Sequence, residues 1–240
     1  MRRYAELDLL RTLAIILMIV YHLCYDLETF YGWELGMFEY PSWMIFQKSI
    51  AALFLLLVGI SFAISWDRHQ RKYDGWPFRF LWIKYWLRGL GLIICGLLVS
   101  VVTYLWDPAS YVRFGILHLI GMSILALPFF ARLREWNAAI GIAIIALGMN
   151  MPPAYETELL LPLGMMPPNF FSVDYFPLIP WFGVVLIGIA IGHIVYVQHR
   201  RPTAWDDLPA PQWMVWPGRH ALPVYLVHQP ILLRILGILL

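Results

Sequence analysis

The 240-residue chain is 61% hydrophobic and 13% charged, with 17 Lys and Arg against 15 Asp and Glu and a mean hydropathy of +0.68. Soluble domains carry roughly 25% charged residues, and apolar runs of about 20 residues match the ~30 Å hydrocarbon core of a bilayer. The arithmetic excludes a water-soluble enzyme, a disordered chain, a disulfide scaffold and a nucleic-acid binder, and predicts an all-α, polytopic transmembrane helical bundle in a single domain over 1–240.

Apolar runs bounded by charge, Pro or Trp predict about seven spans, near 8–27, 45–65, 84–105, 114–131, 136–150, 178–198 and 219–239. The first is the richest in polar residues. Asp8, Arg11, Ile15, Met18, His22 and Asp26 follow steps of three and four, so at 100° per residue they fall within an arc of about 80°. That stripe carries ions at both ends and an apolar middle, and must face the bundle interior. The fourth span has Arg113 just outside it and His118 about one turn below its outer end. The fifth, between Arg134 and Pro152–Pro153, is short for a crossing. In the sixth, Gly188 and Gly192 have the small-xxx-small spacing that permits close helix approach. In the seventh, Tyr225, His228 and Gln229 share a face behind Arg219, and Pro223 frees a carbonyl one turn earlier.

Charge distribution orients the spans. Strict alternation puts Arg2, Arg3, Arg11, Arg68, Arg71, Lys72, Arg79, Lys84, Arg88, Arg132, Arg134, Arg200, Arg201 and Arg219 on one side, and Lys48, Arg113 and Arg234 on the other. Fourteen cations against three predict a cytoplasmic amino terminus and an odd number of spans. The outward loops are acidic and aromatic, with Glu28, Glu34 and Glu39 in the first and Glu156, Glu158 and Asp174 in the stretch 151–177. Cys24 and Cys95 lie inside spans as small buried hydrophobes, and no metal-ligand spacing occurs.

Ionisable groups within spans cost about 2.5–3.5 kcal/mol on insertion scales, so they point to function. Asp26 one turn from His22 can fix the imidazole tautomer and raise its basicity, as a general base requires. A hydrogen-bonded structural His is the competing reading. His69, His193 and His199 read as structural.

The segment from Arg3 through Glu6, Asp8 and Arg11, followed by Met18, His22 and Asp26-Leu27, resembles the opening of the bacterial relatives of heparan-α-glucosaminide N-acetyltransferase. Phe176-Pro-Leu-Ile-Pro-Trp181-Phe-Gly183 with Gly188 and Gly192 is similar to that family's penultimate helix, and Gly218-Arg219 with Leu222 and Tyr225-Leu-Val-His228-Gln229-Pro230 to its last. Thr12 stands where the family often has Gly. The resemblance implies a multi-pass acyltransferase of the bacterial cytoplasmic membrane, taking acetyl from acetyl-CoA inside and delivering it outside to an amine or hydroxyl, on an amino sugar, glycan or glycolipid.

Acyl-CoA carries several phosphate charges and a long thin arm, so its binder needs cations at the inner face and a narrow path inward. Arg11, Arg88 and Arg219 are the candidate cations, with Tyr225 and Gln229 lining the path. His22, Asp26 and His228 are the candidate catalytic residues: His22 as base, Asp26 steadying its imidazolium, and His228, Tyr225 or Gln229 donating to the oxyanion. Trp33, Glu34, Arg113 and His118 are candidates for the acceptor. No metal is expected, membrane lipid is the surrounding partner, and a homodimer is compatible with the sequence. A proton-coupled transporter using the buried His and Asp as a relay is the alternative, and a non-catalytic membrane subunit a third.

Overall fold

In a bilayer each backbone polar group must be satisfied inside the protein, so apolar runs of this length become helices. The computed structural model describes residues 4–72, 78–151, 158–208 and 210–240, without the side chains of 78–81 and 207. Arg2, Arg3, Pro152–Pro153, Glu156 and the side chain of Arg79 lie outside the described residues.

Eight α-helices follow in order among the described residues: α1 (Ala5–Tyr31), α2 (Pro41–Lys72), α3 (Phe78–Trp106), α4 (Ile116–Phe130), α5 (Trp136–Met149), α6 (Leu178–Gly192), α7 (Gln212–Arg219) and α8 (Ala221–Leu239). Six stretches are long and apolar enough to cross a membrane: α1, α2, the Trp82–Trp106 part of α3, α4 continued in a 3-10 turn to Leu133, α6 continued in a π-helical turn to Val197, and α8. The chain is therefore an all-α, multi-pass membrane protein of about seven spans. The fifth helix is the short one, as its sequence implies. Its 14 residues rise about 21 Å, less than a ~30 Å core.

The seventh predicted span differs in one respect. The helix expected over 219–239 is broken at His220, whose φ of −114° and ψ of 35° separate the short α7 from α8. Pro223 consequently sits in the first turn of α8, where backbone N–H groups have no intrahelical acceptor and its missing donor costs nothing. The carbonyl it leaves free belongs to Arg219, the last residue of α7.

The helices pack as two compact units, Met1–Phe54 with Arg201–Leu240, and Leu55–Arg200. In the first, α1 packs against α7 and α8. The expected stripe is the buried face of α1: Asp8, Ile15, Met18 and Asp26 are buried, and Arg11 and His22 are half-buried. The helix ends at Gly32, whose φ of 70° is left-handed and whose N–H donates to the Leu27 carbonyl. Beyond it, both Glu28 carboxylate oxygens accept from the Met37 N–H, at 3.1 and 2.9 Å, and shape the loop over 32–40.

The second unit is built on close backbone contact around α6. A Cβ on Gly59 would meet the Val185 carbonyl at 2.1 Å, and one on Gly188 the Leu56 carbonyl at 2.4 Å. Glycine lets the helices touch, and dispersion forces supply the attraction that lipid denies to apolar side chains alone. Asn137, fully buried, donates to the carbonyls of Phe130 (3.0 Å) and Arg134 (2.8 Å) and so ties α4 to α5. Leu87, Leu98, Val102 and Leu105 of α3 face outward, as lipid-exposed side chains do.

Candidate active site on α1 and α8

The first unit carries two polar clusters on the α1 stripe. At the inner one, Asp8 accepts from two guanidiniums, one on each oxygen: Arg11 at 2.7 Å to Oδ1 and Arg219 at 3.0 Å to Oδ2. Arg219 also donates to Gln212 Oε1 at 3.0 Å. The pairing depends on α7 lying against α1. Thr12 Oγ1 donates to the Asp8 carbonyl at 3.1 Å and accepts the Gly218 N–H at 3.0 Å. Thr12 thus occupies the position after Arg11 with a hydroxyl that bridges two helices. Two cations thus meet one carboxylate, and both arginine side chains stay about a quarter exposed, at 24% and 25%.

Next to it, Arg201 donates to both carboxylate oxygens of Glu6, at 2.5 and 3.0 Å, and to Asp206 at 2.6 Å, with Tyr4 and Trp205 against its guanidinium. The two carboxylates hold Arg201 firmly charged, and its pKa is raised above the ordinary arginine value. Composition had marked Arg201 only as one more inner cation, and its partnership with Glu6 spans 195 residues without a local pattern.

The outer cluster lies about 27 Å farther along α1, eighteen residues beyond Asp8. The His22 and His228 rings approach with centroids 4.8 Å apart, tilted by 37°. Tyr225 flanks the His228 ring at 5.5 Å and Tyr21 the His22 ring at 5.7 Å. Asp26 is fully buried, and its Oδ1 accepts from Gln229 Nε2 at 2.7 Å. Among the described residues no hydrogen bond joins Asp26 to His22, so the carboxylate is oriented by α8 rather than by its neighbour one turn back.

Hydrogen-bond polarity in this cluster follows from its partners. His228 Nδ1 lies 2.5 Å from the Tyr225 carbonyl, which can only accept, so Nδ1 carries the proton and Nε2 holds a lone pair. Gln229 must face Asp26 with its NH2 group, since the flipped amide would press two acceptors together, and this leaves Oε1 as an acceptor. Asp26 Oδ2, His228 Nε2 and Gln229 Oε1 are all buried without a partner. Three unsatisfied acceptors on α1 and α8 are costly, at about 1–3 kcal/mol each, which makes them candidates for a donor-bearing ligand.

The remaining sequence candidates are placed as follows. Trp33 and Glu34 are exposed on the loop after α1. Arg88 is exposed on α3 in the second unit. Arg113, also in that unit, donates to Glu158 at 2.7 Å and lies over the rings of Tyr111 and Phe170, so it anchors the stretch around 158–175. His118 is buried, stacks on Phe114 at 5.5 Å and lies against Gly96, with Nδ1 unpartnered. Asp174 caps α4 by accepting the Ile116 N–H at 3.0 Å. Among the described residues no group of three or more His, Cys, Asp or Glu could hold a metal ion.

Residues 3–230 match the family heparan-alpha-glucosaminide N-acetyltransferase, catalytic. The chain belongs to this family. No curated protein and no solved structure matches it. Membership of the heparan-alpha-glucosaminide N-acetyltransferase family makes the chain a membrane acyltransferase, and the matched range takes in both polar clusters, from Glu6 to Gln229. Of the three segments that carried the resemblance, the first and last meet on α1, α7 and α8 through Asp8, His22 and Asp26 with Gly218-Arg219, His228 and Gln229, while the Phe176–Gly183 segment with Gly188 and Gly192 belongs to α6 and its approach in the second unit.

Proposed function

We propose that this chain transfers acetyl from cytoplasmic acetyl-CoA to a primary amine at the outer side of the membrane, on an amino sugar or a glycan or glycolipid that carries one. The observation that carries the reading is the outer cluster. His22 and His228 stand ring against ring, His228 Nε2, Asp26 Oδ2 and Gln229 Oε1 are buried acceptors without partners, and a primary ammonium offers three N–H donors to match them. A hydroxyl offers one. The negative carboxylate of Asp26 favours a cationic guest further.

Arg11 and Arg219, each still partly exposed, supply guanidiniums for the phosphates of the donor, with the α1 stripe leading outward toward His22. The excess of fourteen cations over three supports a cytoplasmic inner cluster. In the reaction, the ammonium loses one proton to His228 Nε2, which the Tyr225 carbonyl keeps available by holding the other proton on Nδ1. That proton passes to His22, the less buried imidazole, and on to water. The neutral amine attacks the thioester carbon and a C–N bond forms. The C–S bond then breaks, and the departing thiolate takes the second amine proton through the imidazole. Amide and free CoA thiol result, with one proton released. In this reading the base is His228 and His22 relays its proton, where the sequence suggested His22 as base and His228, Tyr225 or Gln229 as the oxyanion donor; the lone pair on His228 Nε2 favours the first.

The test uses the full chain in nanodiscs with radiolabelled acetyl-CoA and a panel of amino sugars, glycans and lipids. Wild-type protein is expected to acetylate an amino-bearing acceptor, and His22→Ala and His228→Ala each to lower kcat by about 10²–10⁴. Folded variants that both turn over at the wild-type rate would remove the histidine pair from the chemistry. Solute uptake into liposomes without any acyl donor would favour a carrier instead.

A further inference from the structure

Gln229 comes from a segment that sequence reasoning placed along a path for the donor, yet its position fits a different task. The two ends of its amide differ: Nε2 donates to Asp26 Oδ1 at 2.7 Å, while Oε1, like Asp26 Oδ2 and His228 Nε2, is buried and unpartnered. Asp26 has no other hydrogen-bond donor among the described residues, so its carboxyl plane is set by this one contact across 203 residues of sequence. Because Oδ1 is occupied, Oδ2 is the oxygen left to meet a ligand. Because Nε2 is occupied, Gln229 presents only an acceptor.

We propose that Gln229 determines acceptor specificity: it positions Asp26 and contributes the third acceptor of a cradle that selects a primary ammonium over a hydroxyl. The proposal rests on the amine-transfer reading above and deepens it. Its physical basis is the asymmetry of buried hydrogen bonding. A site whose acceptors are all satisfied by an ammonium leaves two of them unpaired when a hydroxyl enters, and such sites reject the poorer partner by large factors. Gln229 is a positioning residue toward Asp26 and a contact residue toward the acceptor, so its loss affects acceptor binding and leaves the donor cluster at Asp8 untouched.

The experiment compares wild type, Gln229→Met, Gln229→Glu and the double exchange Asp26→Asn with Gln229→Glu, each as full chain in nanodiscs, using labelled acetyl-CoA with glucosamine and, separately, glucose as probes. Methionine keeps the length of the side chain and removes both its donor and its acceptor. Gln229→Met is expected to raise KM for glucosamine tenfold or more, to leave KM for acetyl-CoA within twofold, and to lower the glucosamine-to-glucose selectivity at least tenfold. Gln229→Glu sets two carboxylates against each other and is expected to lower the thermal midpoint. The double exchange returns a donor at 26 facing an acceptor at 229, and is expected to recover that midpoint.

An unchanged KM for glucosamine and unchanged selectivity in a folded Gln229→Met protein would overturn the proposal while leaving amine transfer intact. So would equal rises in both KM values together with a lowered midpoint, which is the signature of a purely structural role. Wild-type protein that acetylates glucose but not glucosamine, or neither, would end the amine reading and this proposal with it.

Discussion

The contact of α7 on α1 puts a definite demand on Gly218. A Cβ built there would lie 2.1 Å from the Asp8 carbonyl oxygen and 2.9 Å from Thr12 Oγ1. Real Cβ atoms essentially never come within 3.0 Å of another heavy atom, so Gly218→Ala must push the helices apart by about 0.9 Å. The closest contact is a main-chain carbonyl, so no rotamer change relieves the clash. Overpacking of this kind costs about 1–3 kcal/mol, and stretching the Gly218 N–H bond to Thr12 forfeits about 1–3 kcal/mol more. The helical preference of alanine returns about 1 kcal/mol. A net loss near 3 kcal/mol corresponds to a fall in melting temperature of roughly 6–12 °C for a chain of this size. Gly91→Ala is the control, since nothing lies within 4 Å of its Cβ position. It keeps the alanine gain without the clash and is expected to melt about 1–4 °C higher than wild type. Thermal unfolding of both variants in nanodiscs, followed by circular dichroism, makes the comparison. If Gly218→Ala were stabilised as much as Gly91→Ala, the close approach of α7 to α1 would be refuted, and with it the geometry that brings Arg219 to Asp8.

Three further outcomes are expected. Arg11→Ala and Arg219→Ala each raise KM for acetyl-CoA about tenfold, the equivalent of about 1.4 kcal/mol of lost charge contact, while KM for the amine is unchanged; equal effects on both substrates would dissociate this cluster from the donor. Asp174→Ala removes the acceptor of the Ile116 N–H and costs about 1 kcal/mol, to be read as faster hydrogen exchange over 116–119 with little change elsewhere. The Tyr175 phenol, which donates to the Leu161 carbonyl at 2.7 Å, is pushed up to about 12 by burial, so its stabilising contribution is complete below about pH 10 and is lost as pH rises toward 12. Phenolate absorbance in wild type against Tyr175→Phe measures this, and a midpoint near 10 would place the ring in water.

The stripe on α1 was legible because burial on a helix repeats every 3.6 residues, and the costliest residues had to lie on it: Asp8 and Asp26 are buried where the periodicity put them. The short α5 was legible from its flanks. The break at His220 was not, because α7 and α8 are both rich in apolar residues and hydropathy averages across a one-residue joint. Pro217-Gly218, just before it, is its local signal. The partners within each polar cluster were out of reach for a different reason. Glu6 with Arg201, Thr12 with Gly218 and Asp26 with Gln229 are separated by 195, 206 and 203 residues, so they depend on which helices pack together, and no window of sequence contains both members. His228 was visible as an intramembrane histidine, but its tautomer depends on the Tyr225 carbonyl, a main-chain feature common to every residue type.

The pairing of Asp26 with Gln229 has a consequence for how the protein is made. During synthesis α1 is delivered to the membrane long before α8 exists, and 203 residues separate the two side chains. At about 5–20 residues per second this is a delay of roughly 10 to 40 s. For that interval Asp8 and Asp26 have neither Arg219 nor Gln229 to meet them. Until translation reaches α8, the helix must be sheltered by the insertion machinery, by water at the bilayer surface, or by provisional neighbours that are later displaced. The same residues that equip the finished protein for chemistry make its first helix the most demanding segment to insert.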